Sequence, residues 1–407
     1  MVRKLIGVRE VTRALIGATV LLLAATAGWS QTLIWLGTLG GQSSLADGVS
    51  ADGTIVVGSA FNSAVQERAF RWTAATGMQD LGTLGGTFSR ATDISADGSV
   101  IVGDAQTAAG RRHAVRWENG VIHDLGTLGG TRSTAWSVSA NGAVIVGESL
   151  DVAEARRAFR WQGGTMQNLG TLEGGWSVAH GVSSCGQVAV GEVYVLARWA
   201  AFRWTVGTGI IDIGSPGGRW STAFAASAGG QTVVGRMRNV GGFERAFRWT
   251  PETGIQDLGV LGGIRSEAYS VSADGLVIVG MFLDQQPVER AFRWTQAGGM
   301  EDLNITYASL LSAGDRLMGA YAVSPNGRYI VGAGRNGTTE RVEAFLLDTG
   351  FPLQGDVNRD NCVDDADLLT VLFEFGGQGY RNQDLNWDGV IDDADLLQVL
   401  FNFGSGC

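Results

Sequence analysis

Residues 80–117 read DLGTLGGTFSRATDISADGSVIVGDAQTAAGRRHAVRW, and variants of this segment recur along most of the chain. The LGTLGG element begins at residues 36, 81 and 125, and degenerate copies begin at residues 169, 213, 258 and 303. Successive copies are therefore 44 or 45 residues apart. A fixed period of this length is typical of stacked supersecondary units that bury their apolar faces against one another.

Each unit contains four short segments of strand-forming residues. In the second unit these segments are ATDIS (91–95), SVIVG (99–103), HAVRW (113–117) and VIHDLG (121–126). Val, Ile, Phe and Trp between turns of Gly, Asp and Asn indicate antiparallel hairpins. Seven such units predict an all-β fold, a seven-bladed β-propeller over residues 32–350. A β-solenoid is the alternative, although its coils usually contain fewer residues.

The two ends of the repeat array complement each other. Residues 32–36 (TLIWL) look like a fourth strand without a unit, and the seventh unit ends after residues 343–347 (EAFLL) without a fourth strand. We therefore expect residues 33–36 to pair antiparallel with residues 344–347, so that an N-terminal strand closes the ring. In the other units, an Arg of the third strand and an Asp or Asn of the fourth, such as Arg71 and Asp80, are predicted to pair across the hairpin or with the next blade.

The amino terminus predicts export. Residues 1–13 contain three Arg and one Lys, and a run of 14 apolar and small residues follows at 14–27. This pattern indicates a signal peptide over residues 1–27, with cleavage after Ala27 or Ser30. A transmembrane anchor, the alternative, needs about 20 apolar residues. The mature chain is expected to be secreted, extracellular or cell-surface associated, with no membrane span.

The charge distribution separates the repeats from the C-terminal segment. The net charge is −10, but residues 354–407 contain ten Asp, one Glu and two Arg, so the repeats are nearly neutral. Without a basic stripe to neutralise phosphates, the chain is not expected to bind nucleic acid.

One motif recurs in the third strand of each repeat. It reads RAFRW at 68–72, 157–161, 245–249 and 290–294, HAVRW at 113–117 and AAFRW at 200–204. Over residues 32–348 the pattern resembles the HAF family of extracellular repeat proteins. The resemblance implies export and says little about activity.

Residues 354–407, which we call the tail, contain two copies of a second motif. The copies read DVNRDNCVDDADLLTVLFEFG (356–376) and DLNWDGVIDDADLLQVLFNFG (384–404). Asp, Asn and Asp stand at loop positions one, three and five, and Asp stands again at nine and twelve. Oxygen ligands at these intervals can wrap one Ca²⁺, as in an EF-hand loop. Each loop leads directly into an apolar helix.

This pair of loop–helix units resembles a type I dockerin, a small all-α calcium-binding domain. The resemblance implies two Ca²⁺ ions, each bound by side chains and one backbone carbonyl. The first set is Asp356, Asn358, Asp360, Asp364 and Asp367 with the Cys362 carbonyl; the second is Asp384, Asn386, Asp388, Asp392 and Asp395 with the Val390 carbonyl. A cohesin-like or other extracellular protein is the implied partner. Positions ten and eleven read Asp-Ala in both copies, where many dockerins have Ser and Thr for cohesin contacts.

The cysteines suggest one disulfide. If the two tail helices pack antiparallel, Cys407 lies beside the loop that contains Cys362, and an exported protein can oxidise such a pair. Cys185 would then stay unpaired. Cys185 and His180 share one repeat, but Cys185 occupies a hairpin turn and no third group orients the pair. No catalytic residue is therefore assigned from the sequence.

The connections between repeats vary more than the hairpin turns, as binding loops tend to. One position in them predicts a ligand rim of aromatic and Arg side chains, namely Phe88, Arg132, Trp176, Trp220 and Arg265. Its ligand would be a glycan or a protein; alternatively, these side chains cap the core between blades. The expected function is a non-enzymatic binding or scaffold protein tethered through its tail. The alternative is a carbohydrate-active enzyme, a polysaccharide hydrolase or lyase.

Overall fold

A computed structural model describes residues 31–215, 217 and 219–407. The predicted signal peptide lies outside the described residues. Most of the described chain consists of antiparallel four-stranded meanders, and the helices are few and short.

Five separate sheets each contain four strands in chain order. They are β6 (Gly85–Ile94), β7 (Val100–Thr107), β8 (Arg112–Glu118) and β9 (Val121–Asp124); β10 (Gly129–Val138), β11 (Val144–Asp151), β12 (Arg156–Gln162) and β13 (Thr165–Asn168); β14 (Ser177–Val182), β15 (Val188–Val195), β16 (Arg198–Thr205) and β17 (Gly209–Asp212); β18 (Ser221–Ala226), β19 (Val233–Arg238), β20 (Glu244–Thr250) and β21 (Gly254–Asp257); β22 (Arg265–Val271), β23 (Val277–Leu283), β24 (Glu289–Thr295) and β25 (Gly299–Asp302).

An eight-stranded sheet joins the two ends of the array. Its strands run in the order β26 (Arg316–Val323), β27 (Tyr329–Arg335), β28 (Val342–Asp348), β2 (Gly40–Val49), β3 (Val56–Asn62), β4 (Glu67–Thr73) and β5 (Gly77–Asp80). The remaining strand, β1 (Thr32–Trp35), pairs with β28. The first strand of each meander contacts that of the next, and β26 contacts β2, so these inner strands surround a common axis. This arrangement is a β-propeller, which confirms the predicted fold class at this coarser level.

The pairing of β1 with β28 confirms the predicted closure. Leu33 lies opposite Leu347 and Trp35 opposite Phe345 in an antiparallel register. The Leu36 N–H then donates to the Ala344 carbonyl at 2.9 Å. The rings of Trp35 and Phe345 meet edge to face, with centroids 6.2 Å apart, so the seam is apolar.

The predicted pairing of Arg71 with Asp80 is wrong. The register of β4 and β5 places Phe70 opposite Asp80 and Gln79 opposite Arg71. Because neighbouring side chains of a strand point to opposite faces, Arg71 and Asp80 lie on opposite faces of the sheet. Asp80 instead approaches Arg68, with Nε and Oδ2 3.6 Å apart.

Five of the seven hairpins between the first and second strands are held by an Asx-type turn. In the second meander, Asp97 Oδ1 accepts from the Ser95 hydroxyl at 2.6 Å and from the Ser99 N–H at 2.9 Å. Gly98 follows with a φ of +74°, a left-handed conformation that glycine adopts without a Cβ penalty. The turn motif Ser-Ala-Asp-Gly therefore has a direct structural reason.

These turns form a ring at one end of the axis, which we call the collar. The Ala51 N–H donates to the Ala96 carbonyl at 2.9 Å, the Ala96 N–H to Ala140 at 2.9 Å, and the Ala140 N–H to Ser184 at 3.1 Å. Equivalent bonds continue around the ring through Ala228, Ala273 and Pro325, and Asn326 Nδ2 returns to the Ala51 carbonyl at 3.4 Å.

The helices lie outside the sheets. A short helix α1 (Leu303–Thr306) and a 3₁₀ turn (Ala308–Leu310) precede β26, and the tail contains α2 (Asp365–Phe373) and α3 (Asp393–Asn402). Asp364 and Asp392 cap the tail helices through capping boxes with the Asp three residues later. Cys362 and Cys407 are disulfide-bonded, with Cα atoms 4.7 Å apart. No helix of the described residues is long and apolar enough to span a membrane.

Candidate active site in the axial cavity

A β-bulge in every inner strand creates the candidate site. Immediately after the alanine that all repeats share, the register shifts by one residue, for example between Ala46 and Gly48. A bulge leaves an extra residue unpaired and re-aims its side chain. The seven extra residues all line the axial cavity: Asp47, Thr92, Trp136, His180, Phe224, Tyr269 and Tyr321.

The axial cavity has a volume of about 530 Å³. Arg90, Asp93 and Ser137 join the bulge residues in its wall, and apolar side chains such as Val49, Ile94 and Val138 form a lower layer. Carbons of the collar, including those of Ala96 and Ala140, line its floor. A largely apolar pocket with a few convergent polar groups is the usual form of a small-molecule site.

Five of the bulge residues form a continuous arc of rings. The ring centroids of Trp136 and His180 are 5.8 Å apart, those of His180 and Phe224 5.6 Å, those of Phe224 and Tyr269 5.7 Å, and those of Tyr269 and Tyr321 5.5 Å. Nε1 of Trp136 and Nε2 of His180 are buried without a hydrogen-bond partner among the described residues.

Two carboxylates, Asp47 and Asp93, also line the axial cavity. Burial inside the ring raises the pKa of Asp47 from 3.8 to about 7, against the opposing charge of Arg90. No described residue donates a hydrogen bond to the Asp47 carboxylate, which remains partly exposed to the cavity. A carboxyl group with this pKa is present in both its acid and base forms at neutral pH.

The second carboxylate, Asp93, is held in place. Oδ1 accepts from the Ile94 N–H at 2.8 Å, and Oδ2 accepts from the Ser137 hydroxyl at 2.7 Å and from the Val138 N–H at 2.9 Å. Burial raises its pKa to about 6 although these bonds favour the ionised form. The bonds to Ser137 and Val138 also connect two neighbouring inner strands.

A charged layer surrounds the cavity above the bulges. Arg90 lies over the Trp136 ring, with its guanidinium carbon 4.8 Å from the centroid, and its Nη2 is 3.5 Å from Asp104. Burial raises the pKa of Asp104, opposed by the charges of Arg90 and Arg112. Arg90 is thus oriented by an aromatic face and a buried carboxylate, and it also reaches the cavity wall.

On the other side of the cavity, His180 and Tyr269 have acidic neighbours. His180 Nε2 is 3.7 Å from Glu192, which also accepts from Thr222 at 2.7 Å. Burial would raise the pKa of Glu192, but the nearby His180 side chain and the hydrogen bond from Thr222 bring it below the ordinary value. The Tyr269 hydroxyl donates to Glu267 at 3.2 Å, and burial raises the pKa of that phenol.

The predicted rim residues lie four positions before bulge residues, towards the start of the inner strands. Arg112 covers the Phe88 ring at 3.9 Å, Arg236 approaches the Trp220 ring at 5.3 Å, and Trp176 is 53% exposed. Arg132 and Arg265 approach Glu148 and Glu267 at 3.6 and 3.4 Å. None of the five lines the axial cavity. Their role in ligand binding stays a prediction.

The bulge position was not among the candidate sites predicted from the sequence. All seven repeats have alanine immediately before it, yet the bulge residue itself differs in almost every unit. A position that changes chemistry inside an otherwise repeated segment is the signal that could have identified the cavity.

In both tail loops, predicted calcium ligands accept hydrogen bonds from backbone N–H groups of the same loop. The Asp367 carboxylate, fully buried, accepts from the Val357 N–H at 2.7 Å, and Asp395 accepts from Leu385 at 2.6 Å. Burial and the charges of Asp395 and Asp388 raise the pKa of Asp384 to about 7. Buried, mutually repelling carboxylates are a donor set suited to Ca²⁺. Within the described ranges, however, no three His, Cys, Asp or Glu side chains form a ready-made metal site.

Comparison with known proteins identifies the fold. No family model and no curated protein sequence matches the chain. An oligogalacturonate lyase from Vibrio parahaemolyticus is similar in structure at 12% identity, with a TM-score of 0.52, over 78% of this chain and 93% of the lyase. TolB from Acinetobacter baumannii is similar at 12% identity, with a TM-score of 0.45, over 73% of this chain and 81% of TolB. At this identity the likeness to the lyase shows a shared β-propeller fold.

These findings correct the expectation of a non-enzymatic binding or scaffold protein. That expectation assumed that the repeats acquire no polar cluster. The axial cavity contains one, which Asp47, Arg90, Asp93 and His180 form, and the fold is shared with an oligogalacturonate lyase. Asp47, Arg90 and His180 belong to three different repeats and are 43 or more positions apart, so they meet only around the axis.

Proposed function

We propose that this chain is a carbohydrate-active enzyme that degrades a polysaccharide or its oligosaccharides in the axial cavity. The observation that carries the proposal is the pair of carboxyl groups, Asp47 and Asp93, with raised pKa values of about 7 and about 6 in one cavity. Perturbed carboxyl groups in a cleft are typical of acid–base catalysis.

Asp47 is the residue that would transfer the proton. It faces the cavity without a hydrogen-bond donor of its own among the described residues, and its pKa lies near neutral pH, where a group can both take and return a proton. Asp93, fixed by its three bonds, would hold the second carboxylate in position. Hydrolysis of a glycosidic bond uses such a pair of carboxyl groups, whereas β-elimination uses one base and a group that neutralises the uronate carboxylate.

Arg90 favours an acidic sugar. A guanidinium at the cavity wall can pair with a uronate carboxylate, and this pairing also withdraws charge when a base removes the neighbouring C–H proton. In β-elimination that proton goes to the base, a C=C bond forms, the C–O bond to the leaving sugar breaks, and the leaving oxygen receives a proton from the protonated carboxyl group. The fold likeness to an oligogalacturonate lyase points to the same class of substrate. The aromatic arc would contact the apolar faces of the sugar rings.

We further propose a seven-bladed propeller with a calcium-binding tail. The eight-stranded sheet would comprise the first and the seventh blade, which meet where β1 closes the ring. Each of the seven HAF-like repeats would then form one blade. The dockerin-like tail would bind two Ca²⁺ through the predicted ligands and tether the exported enzyme to a cohesin-like or other extracellular protein. The buried acidic side chains of both loops support the calcium sites.

The test is degradation of a panel of uronate-containing and neutral polysaccharides by the full-length protein. A lyase yields an unsaturated product that absorbs ultraviolet light, whereas a hydrolase yields new reducing ends without that absorbance. Asp47→Asn should lower kcat by at least about 100-fold, and Asp80→Asn, outside the cavity, should not. Failure to degrade any member of the panel, or full activity of Asp47→Asn, would refute the proposal.

A further inference from the structure

The tail contacts the collar through two residues in equivalent positions. Arg359 and Trp387 are the fourth residues of the two acidic loops, and both adopt a left-handed backbone conformation, with φ of 63° and 60°. Left-handed φ is uncommon for residues other than glycine and persists only where the surroundings hold it. In both loops the surroundings include the bonds from the loop N–H groups to the first Asp, as at Asp388 N and Asp384 Oδ1, 3.1 Å apart.

Trp387 inserts into the collar. Its side chain is 4% exposed and packs with Ala51, Ala96 and Ala140, and Tyr380 lies partly buried beside it. An indole is the largest apolar side chain, so its burial stabilises the contact strongly. The alanines leave room for it, since a longer side chain at these turns would fill the same space.

Arg359 contacts the sixth and seventh turns of the collar. Its guanidinium pairs with Asp274, the turn residue of the sixth meander, and Nη2 donates to the Asn326 carbonyl at 3.3 Å. Both side chains of the ion pair are largely buried, with 18% and 10% exposure. The tail therefore contacts at least five of the seven turns of the collar.

Ala96 and Ala140 connect this contact with the axial cavity. They line the cavity floor and also pack against Trp387. We infer that the tail is a base plate that closes the axial channel at the collar, so that the cavity has one entrance and its floor depends on the state of the acidic loops. The closure rests on contacts within the chain and holds whether or not the proposed enzymatic activity is correct; its dependence on a cation rests on the proposed calcium binding.

Two consequences follow for the folded chain. A polymer cannot thread through the channel, so ligands enter from the side of the charged layer around Arg90. Removal of a divalent cation from the loops would loosen Arg359 and Trp387 and, with them, the hydrogen bonds between collar turns.

Hydrogen–deuterium exchange of the full-length protein tests the inference at the collar amides of Ala96 and Ala140. Trp387→Ala and Arg359→Ala should each accelerate their exchange by about tenfold or more. Phe401→Ala provides the tail control, because Phe401 is 81% exposed on α3. Unchanged exchange at the collar in both tail variants would overturn the inference.

A variant in the propeller distinguishes loss of the contact between tail and collar from unfolding of the tail. Asp274→Asn should keep its turn, since Asn141 occupies the same turn position, but it loses the charge that binds Arg359. Asp97→Asn is the matched control, a turn carboxylate without an Arg partner among the described residues. Asp274→Asn should accelerate collar exchange and Asp97→Asn should not; equal effects would contradict the ion pair's role.

The last experiment measures the same hydrogen exchange after treatment with a chelator and after addition of calcium chloride. Chelation should accelerate exchange at both the tail and the collar of the wild type, and added calcium should reverse it. If chelation changes exchange only within residues 354–407, the coupling between loops and cavity floor does not exist.

Discussion

The Ser44 hydroxyl accepts a hydrogen bond, 2.8 Å long, from the Ala344 N–H, 300 residues further along the chain. The equivalent bond joins five pairs of meanders that are consecutive in sequence, for example from the Ala69 N–H to Ser89 Oγ at 3.0 Å. Ser44 Oγ also donates to the Gly37 carbonyl. The first and last units of the array therefore meet through the contact that joins consecutive units.

Ser44→Ala should destabilise the closed ring. The Ala344 N–H is fully buried and would lose its acceptor, which costs about 1–3 kcal/mol. Urea unfolding of the purified protein measures the loss. Ser63→Ala, in an exposed loop, is the control and should change the free energy of unfolding by less than about 0.5 kcal/mol. Equal stability of the two variants would show that another group satisfies this N–H.

Deletion of residues 32–36 should open the ring. It removes β1 and leaves the edge of β28 unpaired, and an exposed strand edge pairs with other chains. Size-exclusion chromatography with light scattering should then detect oligomers, together with a lower melting temperature. Trp35→Ala keeps the backbone pairing and removes the packing on Phe345, so it should lower stability without oligomers. A monomeric deletion variant with wild-type stability would contradict closure by β1.

Asp47 should make stability depend on pH between about 4 and 7. Its pKa is raised from 3.8 to about 7 in the folded protein, so the folded state retains the proton over a range where the unfolded chain has lost it. The resulting stabilisation is complete below pH 3.8 and is lost as pH rises through about 7.

Asp47→Asn has no proton to lose at this position. Its stability relative to wild type should therefore increase with pH over this range, with a slope of at most about 1.4 kcal/mol per pH unit. Thermal or urea unfolding at a series of pH values measures the difference. Asp80→Asn, outside the cavity, should not change the pH dependence. Parallel profiles for wild type and Asp47→Asn would show that Asp47 titrates normally.

Removal of the disulfide should destabilise the tail. The Cys362–Cys407 bond closes 45 residues, and in the chain-entropy model such a bond contributes about 4 kcal/mol. Cys362→Ser with Cys407→Ser should lower the unfolding temperature of the tail helices, as followed by hydrogen exchange of α2 and α3. Cys185→Ser is the matched control, because Cys185 is a free, exposed thiol. A non-reduced peptide map that links Cys185 to either tail cysteine would contradict the pairing.

The sequence alone determined the propeller, because every unit carries the residues that make its own hairpins. The Ser-Ala-Asp-Gly turn and the Val-Ile-Val strand act within a few residues, so their structure follows from local chemistry and the period repeats it. The pairing of β1 with β28 was also predictable, since one end lacked a strand and the other had one to spare.

Side-chain directions across a hairpin were less predictable. The expected pair of Arg71 and Asp80 failed because the register, which the turn length sets, placed them on opposite faces. A shift of one residue is invisible in composition and spacing.

Only the tertiary structure decided the candidate site and the position of the tail. Asp47, Arg90 and His180 belong to different repeats, and they converge because each bulge turns one side chain towards the axis of a closed ring. The burial that shifts the pKa of Asp47 arises from that convergence and from no residue near it in sequence. Likewise, nothing in the sequence of the acidic loops indicates that Trp387 and Arg359 contact the collar. Only the fold brings these residues together. Local periodicity specifies each unit, whereas contacts between units depend on how all of them assemble.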